Sequence, residues 1–203
     1  LVAIVDIFPF IIPLLPKPMK NSVTETLCYF INCDNTASSI RELLKQALRP
    51  ALAKNEKILL IGHSLGSVIA YDTLWGLSHL EHLPGKVDMF LTLGSPLGLD
   101  YIQHRLLGFA RPGIEKYPTN ISHWVNISAV GDNVALNIDF SECFEKMLKL
   151  NLIESIDDHN KGIYNYFRNE EGLNCHRSYG YLVNPVVGKT IADCLKQFTN
   201  KEP

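Results

Sequence analysis

Apolar residues are spaced in two ways along the chain, and the two spacings predict different elements. After Ser39, apolar side chains return every three or four residues from Ile40 to Leu52, which indicates an amphipathic helix. Ser39 and Glu42 have the spacing of a capping box, so we expect the helix to begin there, and we expect Pro50 to kink or restart it. Three short runs are instead continuously apolar, as in strands buried on both faces: 57–61, 87–93 and 123–129.

The order of these elements predicts the architecture. The first apolar run is followed by a helix-length stretch, 64–77, that is apolar on nearly every side, and a further helix with one apolar side is predicted within 179–198. Strands that alternate with helices imply an α/β fold, a largely parallel sheet flanked by helices on both faces. We find no repeat, low-complexity tract or linker, so residues 1–203 are predicted to form one domain with its core in 38–203.

The first 37 residues are predicted to form an apolar, flap-like segment over this core. Residues 1–15 are the most apolar part, but they contain Asp6 and are interrupted by Pro9 and Pro13. They are also shorter than the roughly 20 residues that cross a bilayer, so we expect no transmembrane span, and contact with a membrane surface stays open. The segment lacks the basic start and the cleavage site of a signal peptide, and we expect a cytoplasmic protein.

Composition narrows the classes of partner and cofactor. Nineteen Lys plus Arg against twenty-one Asp plus Glu give a net charge of −2, without the basic excess that is typical of nucleic-acid-binding proteins. The five cysteines form no C-x-x-C pair and are expected to be free thiols. The histidines show no H-E-x-x-H or similar spacing, so neither a metal nor another cofactor is expected.

One motif combines a strand, a sharp turn and a helix. Gly62-His-Ser-Leu-Gly66 follows the first predicted strand and precedes the apolar helix. A serine at such a turn has its hydroxyl pushed out above the edge of the sheet, and crowding two residues before and after it favours glycine at both positions. The helix then directs its free N–H groups toward whatever the serine attacks. Ser64 is therefore the predicted nucleophile, and the alternative is a glycine-rich connection without chemistry.

A serine nucleophile needs a base, and the base needs a carboxylate that orients it. The third predicted strand delivers Asp132 to the carboxyl edge of the sheet, where site residues stand, so Asp132 is the predicted acid. The alternative for Asp132 is a turn residue that binds its own backbone. Among seven histidines, His176 gives the chain order Ser, Asp, His and is the predicted base, while His159 is the second candidate. The other five histidines are not expected to act as the base. His79 and His82 are expected in solvent, and His63 is expected to point away from the serine. His104 and His123 are not expected at the carboxyl ends of the strands.

Four stretches together resemble the second half of an α/β-hydrolase, of the bacterial lipase-like or esterase-like kind with a G-H-S-L-G turn: 61–72, 94–96, 126–132 and 175–179. The resemblance implies the same nucleophile, acid and base, Ser64, Asp132 and His176. It also implies that the N–H of Leu65 donates to an oxyanion. The family supplies a second donor from a loop after an early strand, but nothing upstream of the motif resembles that loop, and the early strands are apparently missing.

The expected activity is hydrolysis of a carboxylic ester through an acyl-enzyme on Ser64. Two alternatives stay open, a non-catalytic interaction module of the same fold and hydrolysis of a thioester or amide by the same residues. The expected partner is a small-molecule ester, and a lipid-like one is favoured if residues 1–15 and 97–107 line an acyl site. Because strand 57–61 would be central in the family's sheet, we expect one edge of it to be vacant or paired only by residues 2–8, with Ser64 open to solvent.

Overall fold

Four parallel strands form the centre of the protein. The computed structural model describes residues 17–199 apart from Asn137 and Glu171, with side chains from Thr24 onward. The sheet has the order β1-β2-β3-β4 and consists of Leu59–His63 (β1), Val87–Leu93 (β2), Ile121–Ile127 (β3) and Ser155–His159 (β4). All three pairings are parallel, so the predicted α/β class, a parallel sheet flanked by helices, is confirmed.

Helices surround this sheet, and a small hairpin stands apart from it. The longer helices are Lys17–Phe30 (α1), Thr36–Ala53 (α2), Leu65–His79 (α3) and Pro185–Thr199 (α8). Single-turn helices lie between them at Asp100–Gln103 (α4), Phe140–Cys143 (α5), Glu145–Lys149 (α6) and Ser178–Leu182 (α7). The hairpin pairs Arg168–Asn169 (β5) with Gly172–Leu173 (β6) in antiparallel fashion. No helix in the described part of the chain is long and apolar enough to cross a membrane.

Each face of the main sheet supports its own apolar cluster, because neighbouring residues of a strand point to opposite faces. Leu60, Phe90, Trp124 and Ile156 lie side by side in register across all four strands and belong to the larger cluster, which includes residues of α1, α2 and α3. The other face carries a second cluster that includes residues of β2, β3 and α8. Helices therefore cover both faces, as the unbroken apolar strands predicted.

Aromatic packing fixes the centre of the larger cluster. The Trp124 ring is fully buried, and its centroid lies 4.8 Å from that of Phe144 and 5.2 Å from that of Phe90. The indole N–H donates to Thr92 Oγ1 at 3.1 Å, which satisfies the one polar group of the ring. This packing fixes the two central strands, β2 and β3, relative to each other. The predicted site residues follow the carboxyl ends of the strands in this sheet.

Strand β1 is the edge of the sheet within the described part of the chain. Residues 17–58 contribute helices α1 and α2 and no strand, so nothing described pairs with β1 on the side away from β2. The side chain of Ile61, in the middle of this strand, is 40% exposed. The strand-like residues 2–8, which we considered as a partner for this edge, lie outside the described residues.

Several predicted boundaries were wrong. Helix α2 begins at Thr36, after Asn35 in a left-handed conformation, and not at the capping box of Ser39, and the helix continues through Pro50. Strand β1 runs to residue 63 and β3 ends at residue 127, so each lies two residues from its predicted position. The side chains of Tyr29 and Ala37 are buried in the larger cluster, so the core extends into the segment predicted as a flap.

Candidate active site

The turn between β1 and α3 is strained at its apex. Ser64 has φ of 53° and ψ of −131°, a conformation that side-chain-bearing residues rarely adopt and that recurs at functional sites. Hydrogen bonds hold it on both sides, because Ser64 N donates to the Leu93 carbonyl at 3.1 Å and the Ser64 carbonyl accepts from Ser67 N at 3.0 Å. The predicted need for glycine on both sides is right for one position only. A Cβ at Gly62 would lie 2.7 Å from Ser67 Cα, whereas a Cβ at Gly66 would meet no atom within 4 Å beyond its chain neighbours and its own helix backbone.

The three residues expected to form the site lie in hydrogen-bond contact. His176 Nε2 lies 2.7 Å from Ser64 Oγ, and His176 Nδ1 lies 2.9 Å and 3.0 Å from the two carboxylate oxygens of Asp132. With the Nδ1 proton directed at the carboxylate, Nε2 is left as an acceptor for the serine hydroxyl. This is the arrangement that converts a weakly nucleophilic hydroxyl into an attacking group.

Asp132 lies in a turn and also contacts His176, the predicted base. It follows β3 after Gly131, whose φ of 82° makes the turn, and its Oδ1 accepts hydrogen bonds from Val134 N at 2.9 Å and Ala135 N at 3.2 Å. It is therefore a turn aspartate as well as the partner of His176. Burial alone would raise the pKa of this carboxyl, but the hydrogen bonds from His176, Tyr181 and the Val134 N–H hold its pKa below the usual range. Asp132 is therefore a buried carboxylate that stays charged.

Tyr181 is a site residue that sequence reasoning missed. Its hydroxyl donates to Asp132 Oδ2 at 2.6 Å and accepts from Ala129 N at 2.8 Å, and the side chain is fully buried. The space for this contact is left by Gly94, because a Cβ there would lie 2.8 Å from Asp132 Oδ2 and 3.1 Å from the Tyr181 hydroxyl. No local pattern marks Tyr181, although Gly94 belongs to one of the stretches that suggested a site.

His63 also contacts the site, because its side chain bonds to the backbone of His176. Its Nε2–H donates to the His176 carbonyl at 2.7 Å, and the two imidazole rings lie 4.8 Å apart. Burial lowers the pKa of His63 and the neighbouring His176 lowers it further, so the neutral ring is favoured. This hydrogen bond joins the loop that carries His176 to the residue that precedes Ser64.

The second candidate base does not reach the serine. His159 is exposed at the end of β4, where it pairs in register with Ile127, and the imidazole that contacts Ser64 belongs to His176. The expectation that His79 is in solvent was wrong, because its ring is half-buried and its Nε2–H donates to the Tyr117 carbonyl at 2.7 Å. His82 and His104 are exposed, as expected.

The predicted oxyanion donor, the backbone N–H of Leu65, follows Ser64 directly in the sequence. Leu65 is the first residue of α3, where backbone N–H groups have no acceptor within the helix. The first turn of α3 is tied to the end of β2, because the hydroxyls of Ser67 and Ser95 are 2.6 Å apart. In the segment 97–107, which we expected to help line an acyl site, the side chains of Leu97 and Ile102 are buried in the larger cluster. Residues 1–15, the other part of that expectation, lie outside the described residues.

Within the described residues, no three His, Cys, Asp or Glu side chains are grouped so that they could hold a metal ion. All five cysteines are free thiols. The polar groups around Ser64 are its own hydroxyl, the imidazoles of His176 and His63, the carboxylate of Asp132, the phenol of Tyr181 and backbone amides. What they can do by themselves is move one proton between the serine and the histidine while the carboxylate stabilises the resulting charge.

Comparison with known proteins adds no relative from which a role could be transferred. The chain matches no protein-family model, no curated protein and no solved structure.

Proposed function

We propose that the protein is a serine hydrolase that cleaves carboxylic esters through an acyl-enzyme on Ser64. The observation that carries the proposal is the hydrogen-bonded chain from Ser64 Oγ through His176 to Asp132, at 2.7 Å and 2.9 Å, on a serine whose backbone is held at positive φ. The resemblance of the sequence around these residues to α/β-hydrolases supports the same assignment. A parallel α/β sheet by itself hosts many activities, so the support comes from the site and not from the fold.

In the first half of the reaction, Ser64 Oγ attacks the ester carbonyl while His176 Nε2 takes the hydroxyl proton. Asp132 holds the imidazole with Nδ1–H directed at its carboxylate and stabilises the imidazolium that forms. The carbonyl oxygen becomes an oxyanion near the Leu65 N–H, and one such donor contributes about 3 kcal/mol to the transition state. When the tetrahedral intermediate collapses, His176 returns the proton to the departing alcohol and the acyl group stays on Ser64.

In the second half, water takes the place of the alcohol. His176 Nε2 removes a proton from the water, the resulting hydroxide attacks the acyl carbonyl, and the carboxylic acid leaves as the proton returns to Ser64. A thioester or an activated amide would follow the same route, because the acyl-enzyme is shared. The free thiols of the cysteines fit a reducing compartment, and we propose the cytoplasm as the place of action.

The proposal is tested by labelling with a fluorophosphonate probe, which bonds covalently to activated serines. The wild-type protein is expected to label, and Ser64→Ala is expected to lose the label together with ester hydrolysis, by on the order of 10⁴- to 10⁶-fold in kcat. Ser39→Ala is the matched control, because Ser39 is an exposed serine in the first turn of α2.

Two results would count against the proposal in different ways. Equal labelling of the wild type and of Ser64→Ala would place the nucleophile elsewhere. No labelling of either protein, with the fold intact by circular dichroism, would favour the non-catalytic interaction module.

A further inference from the structure

A groove of about 420 Å³ lies between the segment 109–117 and helix α6. Its volume is within the range of small-molecule sites, roughly 300–1,000 Å³. Four cationic side chains and two aromatic rings line it: Arg111, Lys116, Lys146, Lys149, Phe109 and Tyr117. The chain as a whole has a net charge of −2, so the positive charge of this groove is a local concentration. Nothing in the proposed reaction uses it.

Three of the four cations have no acidic partner among the described residues. Lys149 Nζ lies 2.7 Å from Glu145 Oε1, one turn earlier on α6, but no described carboxylate pairs with Arg111, Lys116 or Lys146. Burial and the neighbouring Lys146 ammonium lower the pKa of Lys116. The cations of the groove therefore repel one another, and an anion placed among them relieves that repulsion.

Aromatic rings hold the central cation of the groove in place. Lys116 Nζ lies 4.1 Å from the centroid of the Phe109 ring and 5.7 Å from that of the Tyr117 ring, within the range of cation–π contacts. The Lys116 side chain is half-buried, unlike that of Lys146, which is exposed. Because the ammonium of Lys116 is already positioned, it loses less conformational freedom when it binds a ligand.

The backbone of this segment is fastened to the last two turns of α3. Trp75 Nε1 donates to the Glu115 carbonyl at 2.8 Å, and His79 Nε2–H donates to the Tyr117 carbonyl at 2.7 Å. His79 is the last of the 15 residues of α3, whereas Ser64 precedes the first, so the helix separates the two ends by about 22 Å. The groove is thus a second site and not an extension of the candidate active site.

We propose that this groove binds a soluble small molecule that carries two linked phosphate groups. Guanidinium and ammonium groups are the usual protein ligands of phosphate oxygens. One phosphate monoester carries about 1.5 to 2 negative charges at neutral pH, fewer than the three unpaired cations, whereas a diphosphate comes closer to matching them. The concave shape suits a small molecule better than the flat surface of a membrane. This site does not depend on the proposed ester hydrolysis.

Titration calorimetry with inorganic pyrophosphate, at low ionic strength and without divalent cations, tests the site. The wild type is expected to bind one equivalent, and Lys116→Gln/Lys146→Gln is expected to bind at least about tenfold more weakly. Lys161→Gln/Lys189→Gln is the matched control, because it removes the same charge from two exposed lysines outside the groove and should bind as the wild type does. Lys146→Glu, which changes one exposed side chain, should weaken binding to a similar degree without disturbing the core.

Further arms of the experiment distinguish the ligand and the site. Citrate, a carboxylate anion of similar charge, is expected to bind more weakly than pyrophosphate, and Ser64→Ala is expected to bind pyrophosphate as the wild type does. The proposal is overturned by equal affinity for citrate, by loss of binding in Ser64→Ala, or by pyrophosphate binding that both groove variants leave unchanged. It is also overturned if the wild type binds vesicles of phosphatidylcholine and phosphatidylserine but not pyrophosphate. Pyrophosphate binding that the groove variants abolish supports the site even if the protein hydrolyses no ester, a result that refutes only the proposed function.

Discussion

Replacing Asp72 with Asn should remove a dependence of stability on pH. Asp72 lies in α3, is 2% exposed, and accepts hydrogen bonds from the Tyr29 hydroxyl at 2.7 Å and from Leu107 N at 2.8 Å. Burial raises the pKa of Asp72 from 3.8 to about 6, against the opposing effect of these two hydrogen bonds. The folded protein therefore holds a proton on this carboxyl at a pH at which the unfolded chain has already lost it.

The sign and size of the effect follow from these two pKa values. Between pH 4 and pH 6 the folded state binds more protons than the unfolded state, so the free energy of unfolding falls as pH rises and then levels off above pH 6. A shift of this size corresponds to about 3 kcal/mol. Asn cannot ionise and can keep both contacts, with its carbonyl accepting from Leu107 N and its amide donating to Tyr29. The stability of Asp72→Asn relative to the wild type should therefore rise by roughly 2–2.5 kcal/mol between pH 4 and pH 7, because the unfolded carboxyl is already partly ionised at pH 4.

Urea unfolding of both proteins at pH 4, 5, 6 and 7 measures this difference, and the other titrating groups cancel because they are common to both. Tyr29→Phe is the informative companion, since it removes one donor to the charged carboxylate and should steepen the pH dependence of the parent protein. A stability difference between Asp72→Asn and the wild type that stays constant from pH 4 to pH 7 would refute the reasoning.

Two further substitutions test the support of the triad and the turn. Tyr181→Phe removes a hydrogen bond to the charged Asp132, a contact worth about 1.5–3 kcal/mol, and should lower both Tm and kcat. Tyr71→Phe is the control, because it alters a buried tyrosine outside the site and should leave kcat unchanged. Equal kcat in the two variants would show that the contact to Asp132 does not act in the reaction. Gly62→Ala should destabilise the protein by about 1–3 kcal/mol, because the new methyl group meets the Ser67 backbone at 2.7 Å, and thermal unfolding that matched the wild type would show that the turn relaxes freely.

The sheet was predictable where burial leaves a mark in the sequence. Strand β2 has the predicted bounds, 87–93, because it lies between two other strands and five of its seven positions are buried. Strand β4 was missed, since it carries Asp157 and Asp158 where an apolar run would have been visible. Its stability comes partly from Asp158, which accepts from Phe140 N and Ser141 N, both at 2.8 Å, and such contacts with a distant segment have no local pattern.

The residues of the candidate site also differ in how clearly the sequence marks them. Ser64 and Asp132 could be selected because each follows a recognisable strand, and His176 because it completes the chain order Ser, Asp, His. Tyr181 and His63 could not be selected, because their roles depend on contacts across 49 and 113 positions of sequence that only the packed sheet creates. The roles of all five remain predictions that the labelling and kinetic experiments test.

The separation of the site residues along the chain has a consequence for synthesis on the ribosome. Ser64 and His176 are 112 positions apart, and β2, β3, β4 and the small hairpin all lie between them. Contacts of such long range form slowly, because the intervening chain must be ordered before the contact can stabilise it. In a nascent chain, Ser64 is therefore synthesised long before His176. On the proposed chemistry, a growing polypeptide would stay inert toward esters until the segment that carries His176 had emerged and docked.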